Sequence, residues 1–353
     1  MKTRWFILAA TLLVGTSVSG GETQVSAYYY PWYGADGNHW DLGYVGKDDG
    51  RGPALGEYDS GSPEVIRQHL ATSREFGIKN WICSWWGPGS REDETLRRHA
   101  LPELEAAGKT ADPVTFCLFY EAAGLLGLDP GKGIEFDTAK TNLFSSHIRF
   151  MADHYFSHPS YQRVEGKPVV YLYLSRAFTG DSSRALATAR AVAAARGFGL
   201  YLVGDEVYWG EPDPERIKRL DAVTAYNMHG PTEYAGLDDW TPFIKDCDAV
   251  YQRWREAAQG LGVKFIPGIM PGFDSRGVDP TAHYPISRQL RPGAGPVSFF
   301  EAMSEMAKRH LDPALPEVAV TSFNEWHEGT QVEPARGDHE RAGEVVERVY
   351  QLQ

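Results

Sequence analysis

The sequence predicts an α/β protein built as a single (β/α)8 TIM barrel with long βα loops. Three observations carry that expectation. Strand-like and helix-like segments alternate along the chain of 353 residues. The strand-like runs are apolar on both faces, as strands enclosed by helices must be. One loop-rich barrel uses the length without a linker or an internal repeat. The competing arrangement, a doubly wound open sheet, would want a glycine-rich phosphate turn after an early strand, and none is present.

The N-terminal residues stand apart from the barrel. Lys2 and Arg4 precede an apolar run from Trp5 to Val14, and Gly15, Ser17, Ser19 and Gly20 supply the small residues of a cleavage site. Residues 1–20 therefore read as a secretory signal peptide and 21–353 as the catalytic barrel, with a secreted or periplasmic destination. A buried N-terminal helix is the alternative. The run is too short to cross a bilayer, and no later stretch suggests a membrane span.

Strands are expected at 24–30, 79–84, 114–120, 168–174, 199–204, 222–227, 264–269 and 317–323, most of them rich in Val, Ile, Tyr and Phe. Helices fall between them. Ser62 and Pro63 form a start signal for a face of Val65, Ile66, His69, Leu70 and Phe76. An Ala-rich helix over 183–196 stops at Gly197. Thr241 and Pro242 repeat the start signal ahead of Phe243, Ile244, Cys247, Val250, Tyr251 and Trp254. Ser298 and Glu301 form a capping box before Phe299, Phe300, Met303 and Met306, and a short last helix is expected over 341–352.

Composition excludes some partners. With 35 Lys+Arg against 47 Asp+Glu the formal charge is −12, which argues against nucleic acid and against an anionic membrane surface. Cys83, Cys117 and Cys247 read as small buried hydrophobes; neighbouring strands would also allow a Cys83–Cys117 bridge.

Polar and aromatic residues gather at the expected C-terminal ends of the strands, where barrels place their active sites. Tyr30, Trp32, Tyr33, His39 and Trp40 follow the first strand, and Trp85 and Trp86 the second. Glu121 ends the third, Asp205 and Glu206 the fifth, and Tyr226, Asn227 and His229 the sixth. The eighth ends in Asn324, Glu325, Trp326, His327 and Glu328. A rim of flat rings and carboxylates suits a sugar, whose C–H faces pack on aromatics and whose cleavage needs two carboxyl groups. Core packing is the alternative for any single Trp. In a straight strand Glu325 and Glu328 would point to opposite faces, so the chain must bend after Phe323 for both to meet one ligand. His39, Asp59, Glu121, His229, His327 and Glu328 could be imagined around a metal, but no spaced ligand pair such as HExxH is present. No metal or cofactor is expected.

The run from Thr321 to Glu333, with Asn324-Glu325-Trp326-His327-Glu328-Gly329 at its centre, resembles the signature of glycoside hydrolase family 99, the endo-α-1,2-mannosidases and mannanases. Tyr29-Tyr30 with Trp32-Tyr33-Gly34, His39-Trp40, Gly56 with Tyr58, Ser84-Trp85-Trp86 and Phe265-Ile266-Pro267 match in order. The resemblance implies a (β/α)8 barrel acting without metal, with retention, on glycans containing α-mannose. It implies Glu325 as the base that deprotonates the sugar 2-hydroxyl and Glu328 as acid/base. Tyr30, Trp32, Tyr33, His39, Trp40, Tyr58, Trp85, Trp86, Glu121, Tyr226, Asn324, Trp326 and His327 would bind substrate. Trp86 falls where bacterial members carry a Trp that favours mannose. Glu328 should then have a raised pKa and Glu325 an ordinary one. The strand-three end at Glu121 and the strand-six end at Tyr226 depart from the family's pattern. A family 71-like endo-α-glucanase and a non-catalytic carbohydrate-binding barrel are the alternatives, and a monomer is expected.

Overall fold

Eight parallel strands close into a ring in the computed structural model, which describes residues 22–230, 234, 239–281, 285, 286, 288, 298–337 and 342–351. The signal-peptide reading of residues 1–20 lies outside the described residues. The strands are β1 (Gln24–Tyr29), β2 (Ile78–Trp85), β3 (Thr115–Tyr120), β4 (Lys167–Leu172), β5 (Tyr201–Asp205), β6 (Ala222–Thr224), β7 (Lys264–Ile266 with Gly268–Ile269) and β8 (Glu317–Val320). Each pairs in parallel with its successor, and β8 pairs with β1 in the register Gln24↔Glu317 to Ala27↔Val320. The seventh strand is split by Pro267, which has no N–H for the ladder. Its first part pairs with β6, its second with β8, and the Pro267 carbonyl still accepts the Ala319 N–H at 3.0 Å. The ring is a barrel, as expected, and not an open sheet.

A helix follows every strand: α1 (Pro63–Glu75), α2 (residues 91–107), α3 (Thr138–His154), α4 (Ser182–Ala194), α5 (Pro214–Ile217), α6 (Thr241–Gly260), α7 (Phe299–Lys308) and α8 (Ala342–Tyr350). The expected caps at Ser62 and Ser298 are present, each hydroxyl accepting a backbone N–H from the first turn. Thr241 instead is the first helical residue, with its N–H donated to Asp239 Oδ1 at 2.9 Å.

The barrel interior is aromatic. Tyr28 lies 4.7 Å from Phe119 and 5.0 Å from Tyr226 between ring centroids, both edge-on, and the three are buried. At the opposite end of the barrel Glu317 accepts hydrogen bonds from Ser26, Gln162 and Tyr171, which satisfies a buried carboxyl group. The three cysteines are buried and free. The Cys83–Cys117 bridge does not form, for a reason of register: Cys83 sits opposite Leu118 and Cys117 opposite Ile82. One residue out of step, the two thiols point to opposite faces of the sheet.

Candidate active site

Beyond Val320 the chain bends back on itself. Ser322 N–H donates to Thr330 O at 2.8 Å, Val332 N–H returns to Ser322 O at 2.9 Å, and Gly329 takes a left-handed φ of 63° at the turn. This is the bend that Glu325 and Glu328 need to share a ligand. Asn324 ties the turn to the end of β1: its Oδ1 accepts the Tyr30 N–H at 2.7 Å, and its Nδ2 donates to Tyr30 O at 3.0 Å and to the Tyr58 hydroxyl at 3.2 Å. Tyr33 clamps the next peptides, donating to Asn324 O at 3.0 Å and accepting the Trp326 N–H at 3.2 Å.

Three carboxyl groups gather here, Glu121 and Glu325 buried and Glu328 half-buried. Glu325 Oε1 accepts the His327 N–H at 2.9 Å. Glu328 Oε2 accepts the Tyr226 hydroxyl at 2.9 Å, and Tyr226 in turn lies 2.6 Å from the Tyr30 hydroxyl. That phenol chain can run in either direction, so it suits Glu328 with or without its proton. Glu121 Oε1 accepts Ser84 Oγ–H at 2.7 Å, and Ser84 accepts the Trp86 indole N–H at 3.0 Å. Burial pushes Glu328 up to about 7 against the pull of Tyr226, and pushes Glu121 up to about 8. Glu325 is also raised well above the usual carboxylate range, first by burial and then by the charge of Glu328. The expectation of an ordinary Glu325 is therefore corrected: the two groups titrate as a pair, and the cluster does not hold three charges near neutrality.

Residues 21–347 match glycosyl hydrolase family 99. The chain belongs to that family. It is 25% identical over 349 residues to a human glycoprotein endo-alpha-1,2-mannosidase-like protein, covering 89% of this chain and 69% of the relative. It is 25% identical to the mouse glycoprotein endo-alpha-1,2-mannosidase over 346 residues, 88% of this chain and 67% of that one. Among solved structures, the family 99 endo-alpha-mannosidase of Bacteroides thetaiotaomicron superposes with a TM-score of 0.66 at 21% identity, covering 93% of this chain and 95% of that one. A glycoside hydrolase-like protein superposes at 0.75 with 20% identity, covering 96% and 98%. The protein is thus a family 99 glycoside hydrolase, endo-α-mannosidase-like, on a TIM-barrel fold. No helix among the described residues is long and apolar enough to cross a membrane.

In this family 99 site the expected binding residues divide into three groups. Tyr226, His327 and Glu121 lie against the carboxyl pair, and Tyr30, Trp32, His39 and Trp86 join them through Tyr226, His327 and Ser84. Trp32 stacks on His39 with centroids 4.3 Å apart, and His39 lies 5.6 Å from His327. Burial pushes His39 down to about 4 and lowers His327, so both imidazoles are neutral at pH 7. Trp32 Nε1, His39 Nδ1 and His327 Nε2 are buried with no partner among the described residues, one donor and two ring nitrogens left for hydroxyl groups. Trp86 is the exposed member, at 39%.

A second group, Tyr33, Trp40, Tyr58, Asn324 and Trp326, sits behind the first. Trp40 stacks on Tyr33 at 3.9 Å and donates its indole N–H to Tyr58 O at 2.7 Å, while Tyr58 and Trp326 both donate to Glu333. Their polar groups hold the turn. Trp85 is a correction. Its side chain alternates away from its neighbours, is fully buried, donates to Asp93 Oδ1 on α2 at 3.1 Å and packs against His147 of α3.

Other participants were not assigned to binding or catalysis from the sequence. Ser84 links Glu121 to Trp86, and Asp205 accepts the Leu174 and Tyr226 N–H groups while pairing with Arg176. Glu333 and His69 form a buried pair. A histidine on the apolar face of a helix, as His69 is on α1, was the sequence signal for that pair, because a buried imidazole needs a polar partner. Among the described residues no three His, Cys, Asp or Glu converge as a metal site.

Proposed function

We propose that the protein is a secreted or periplasmic, endo-acting, retaining α-mannosidase that uses the substrate's own 2-hydroxyl as nucleophile. The observation that carries the reading is the Glu325–Glu328 pair on one turn, Glu325 buried and Glu328 half-buried at the end of the Tyr226–Tyr30 chain. Pairs of carboxyl groups that share a proton near neutrality suit an acid and a base working together. The named activity of the relatives supports the substrate class.

The chemistry runs in two displacements. Glu325, ionised, takes the proton from O2 while O2 attacks C1, and Glu328 gives its proton to the departing glycosidic oxygen. The C1–O1 bond breaks and a 1,2-anhydro sugar forms. Glu328, now ionised, takes a proton from water as that water attacks C1. The C1–O2 bond breaks and O2 recovers its proton from Glu325. Two inversions at C1 give retention. In an α-mannoside O2 and the leaving oxygen lie on opposite faces of the ring, so O2 can displace it. In an α-glucoside they lie on the same face, which argues for mannose over α-glucan. The His327 N–H on Glu325 favours charge on that group, as the Tyr226 hydroxyl does on Glu328.

The test is digestion of α-1,2-mannan, a glucosylated mannose oligosaccharide and α-1,3-glucan, with product size read by mass and anomer by NMR. Cleavage of a mannose substrate with an α product is expected; cleavage of neither mannose substrate overturns the reading. Glu325→Gln and Glu328→Gln should each lower kcat by about 10³- to 10⁴-fold with ligand binding kept. Near-normal turnover in either refutes the role given to it. A substrate methylated at O2 should be inert. When the full chain is expressed, the exported protein should begin near residue 21, and an intact Met1 on retained protein would refute export.

A further inference from the structure

We propose that Glu333 is a positioning residue for the hydrolysis, acting through the Trp326 indole on the turn that carries Glu325 and Glu328. The proposal rests on the functional reading above and deepens it. Glu333 is on the return leg of that turn, its N–H bonded to Phe323 O at 2.8 Å, and it is only 3% exposed. Its carboxylate receives three side-chain donors. Oε2 accepts the Tyr58 hydroxyl at 2.9 Å and the Trp326 indole N–H at 2.8 Å, and Oε1 accepts His69 Nε2–H at 3.1 Å. His69 is fixed from its other side by the Tyr29 hydroxyl, 3.1 Å from Nδ1. The donors come from the loop after β1, from α1 and from the turn itself, so one buried anion joins three elements.

Trp326 is the residue through which this anchor reaches the chemistry. It stands between the two glutamates in the chain. Its indole is held by Glu333 and its N–H by Tyr33, and the next N–H, that of His327, is the one that feeds Glu325 Oε1. A shift of the indole therefore rotates the peptide that favours charge on Glu325. Only an acceptor-only group suits position 333. A glutamine there turns an amide N–H₂ toward at least one of the donors and leaves a buried mismatch.

The experiment compares wild type, Glu333→Gln, Trp326→Phe and the double variant on the mannose substrate that wild type cleaves. Each single change should lower kcat about a hundredfold with KM little changed, as a small misplacement of catalytic groups does. The double variant should be no worse than either single one, because both break the same contact. The acid limb of the pH–kcat profile should move to higher pH in both, since Glu325 loses a hydrogen bond that favours its ionised form. A folded Glu333→Gln with wild-type kcat and an unmoved acid limb overturns the proposal, and so do losses that simply multiply. If Glu333→Gln does not fold, Trp326→Phe decides by its acid limb, a readout that mere loss of stability does not move. Failure of wild type to cleave any α-mannoside overturns the functional reading itself; wild-type cleavage with indifferent variants overturns this inference alone.

Discussion

Tyr226 donates its phenol proton to Glu328 Oε2 at 2.9 Å, which joins the end of β6 to the turn after β8. The two residues are 102 positions apart in the chain, yet in the barrel only one strand, β7, separates β6 from β8. Tyr226 itself is held from below by Tyr28 and from the side by Tyr173, and its backbone N–H by Asp205.

Tyr226→Phe should therefore lower kcat by about a hundredfold, the usual cost of one preorganised donor. The pH profile should move as well. Glu328 must be protonated to act as acid, so activity falls as pH rises through its pKa of about 7. The Tyr226 bond lowers that pKa, and its loss raises it, so the basic limb should shift to higher pH. A kcat/KM profile from pH 4 to 9 measures this; an unmoved basic limb would show that the bond does not tune the acid.

Gly124 lies beneath the Trp86 ring, and a Cβ there would come within 2.3 Å of Trp86 Cζ3. The ring is partly exposed and held by its indole N–H on Ser84 Oγ at 3.0 Å, so Gly124→Ala should fold normally yet push the ring outward and break that bond. KM should rise about tenfold, or ~1.4 kcal/mol, with kcat nearly unchanged. Steady-state kinetics with a tryptophan emission spectrum would check both parts.

The buried carboxyl cluster should cost stability at high pH. Glu328 is raised from 4.5 to about 7 in the folded protein, so folding favours its protonated form. Stability is thus fully present below the unfolded value and declines as pH rises through the folded one. At about 1.4 kcal/mol per pH unit the loss is on the order of 3 kcal/mol. Glu328→Gln should accordingly raise the Tm at pH 8 and change it little at pH 4. Melts of the two proteins at both pH values test the sign.

All three thiols should be free. Alkylation in denaturant without reductant should label three cysteines, and reductant should leave the Tm unchanged. Labelling of only one would mean a disulfide that the strand register forbids.

Much of this was legible in the residues. The runs at 24–30, 79–84 and 114–120 had the double-faced apolar character of barrel strands, and β1, β2 and β3 lie there. Two glutamates in a polar aromatic turn marked the site, because such a turn makes poor core. What could not be read was direction. Trp85 and Trp86 are adjacent and chemically alike, yet one faces α2 and the other the site mouth, since a strand alternates its side chains and the frame is set by pairing with β3. Asn324, Tyr33 and Tyr58 looked like ligand groups and prove to hold the turn, because their partners are backbone and side-chain atoms distant in the chain.

The sequence by itself determined the barrel and marked the strand ends, with Glu325 and Glu328 in one polar aromatic turn, as the candidate site. Those depend on local pattern: apolar runs, caps and a turn whose residues do not suit a core. The tertiary structure alone decided how the glutamates ionise and what steadies them. Glu325 is raised by burial and by Glu328, Glu328 is tuned by Tyr226, and the turn is anchored by Glu333 and His69. Desolvation and charge coupling depend on which atoms surround a group in space, and those atoms come from βα units distant in the chain.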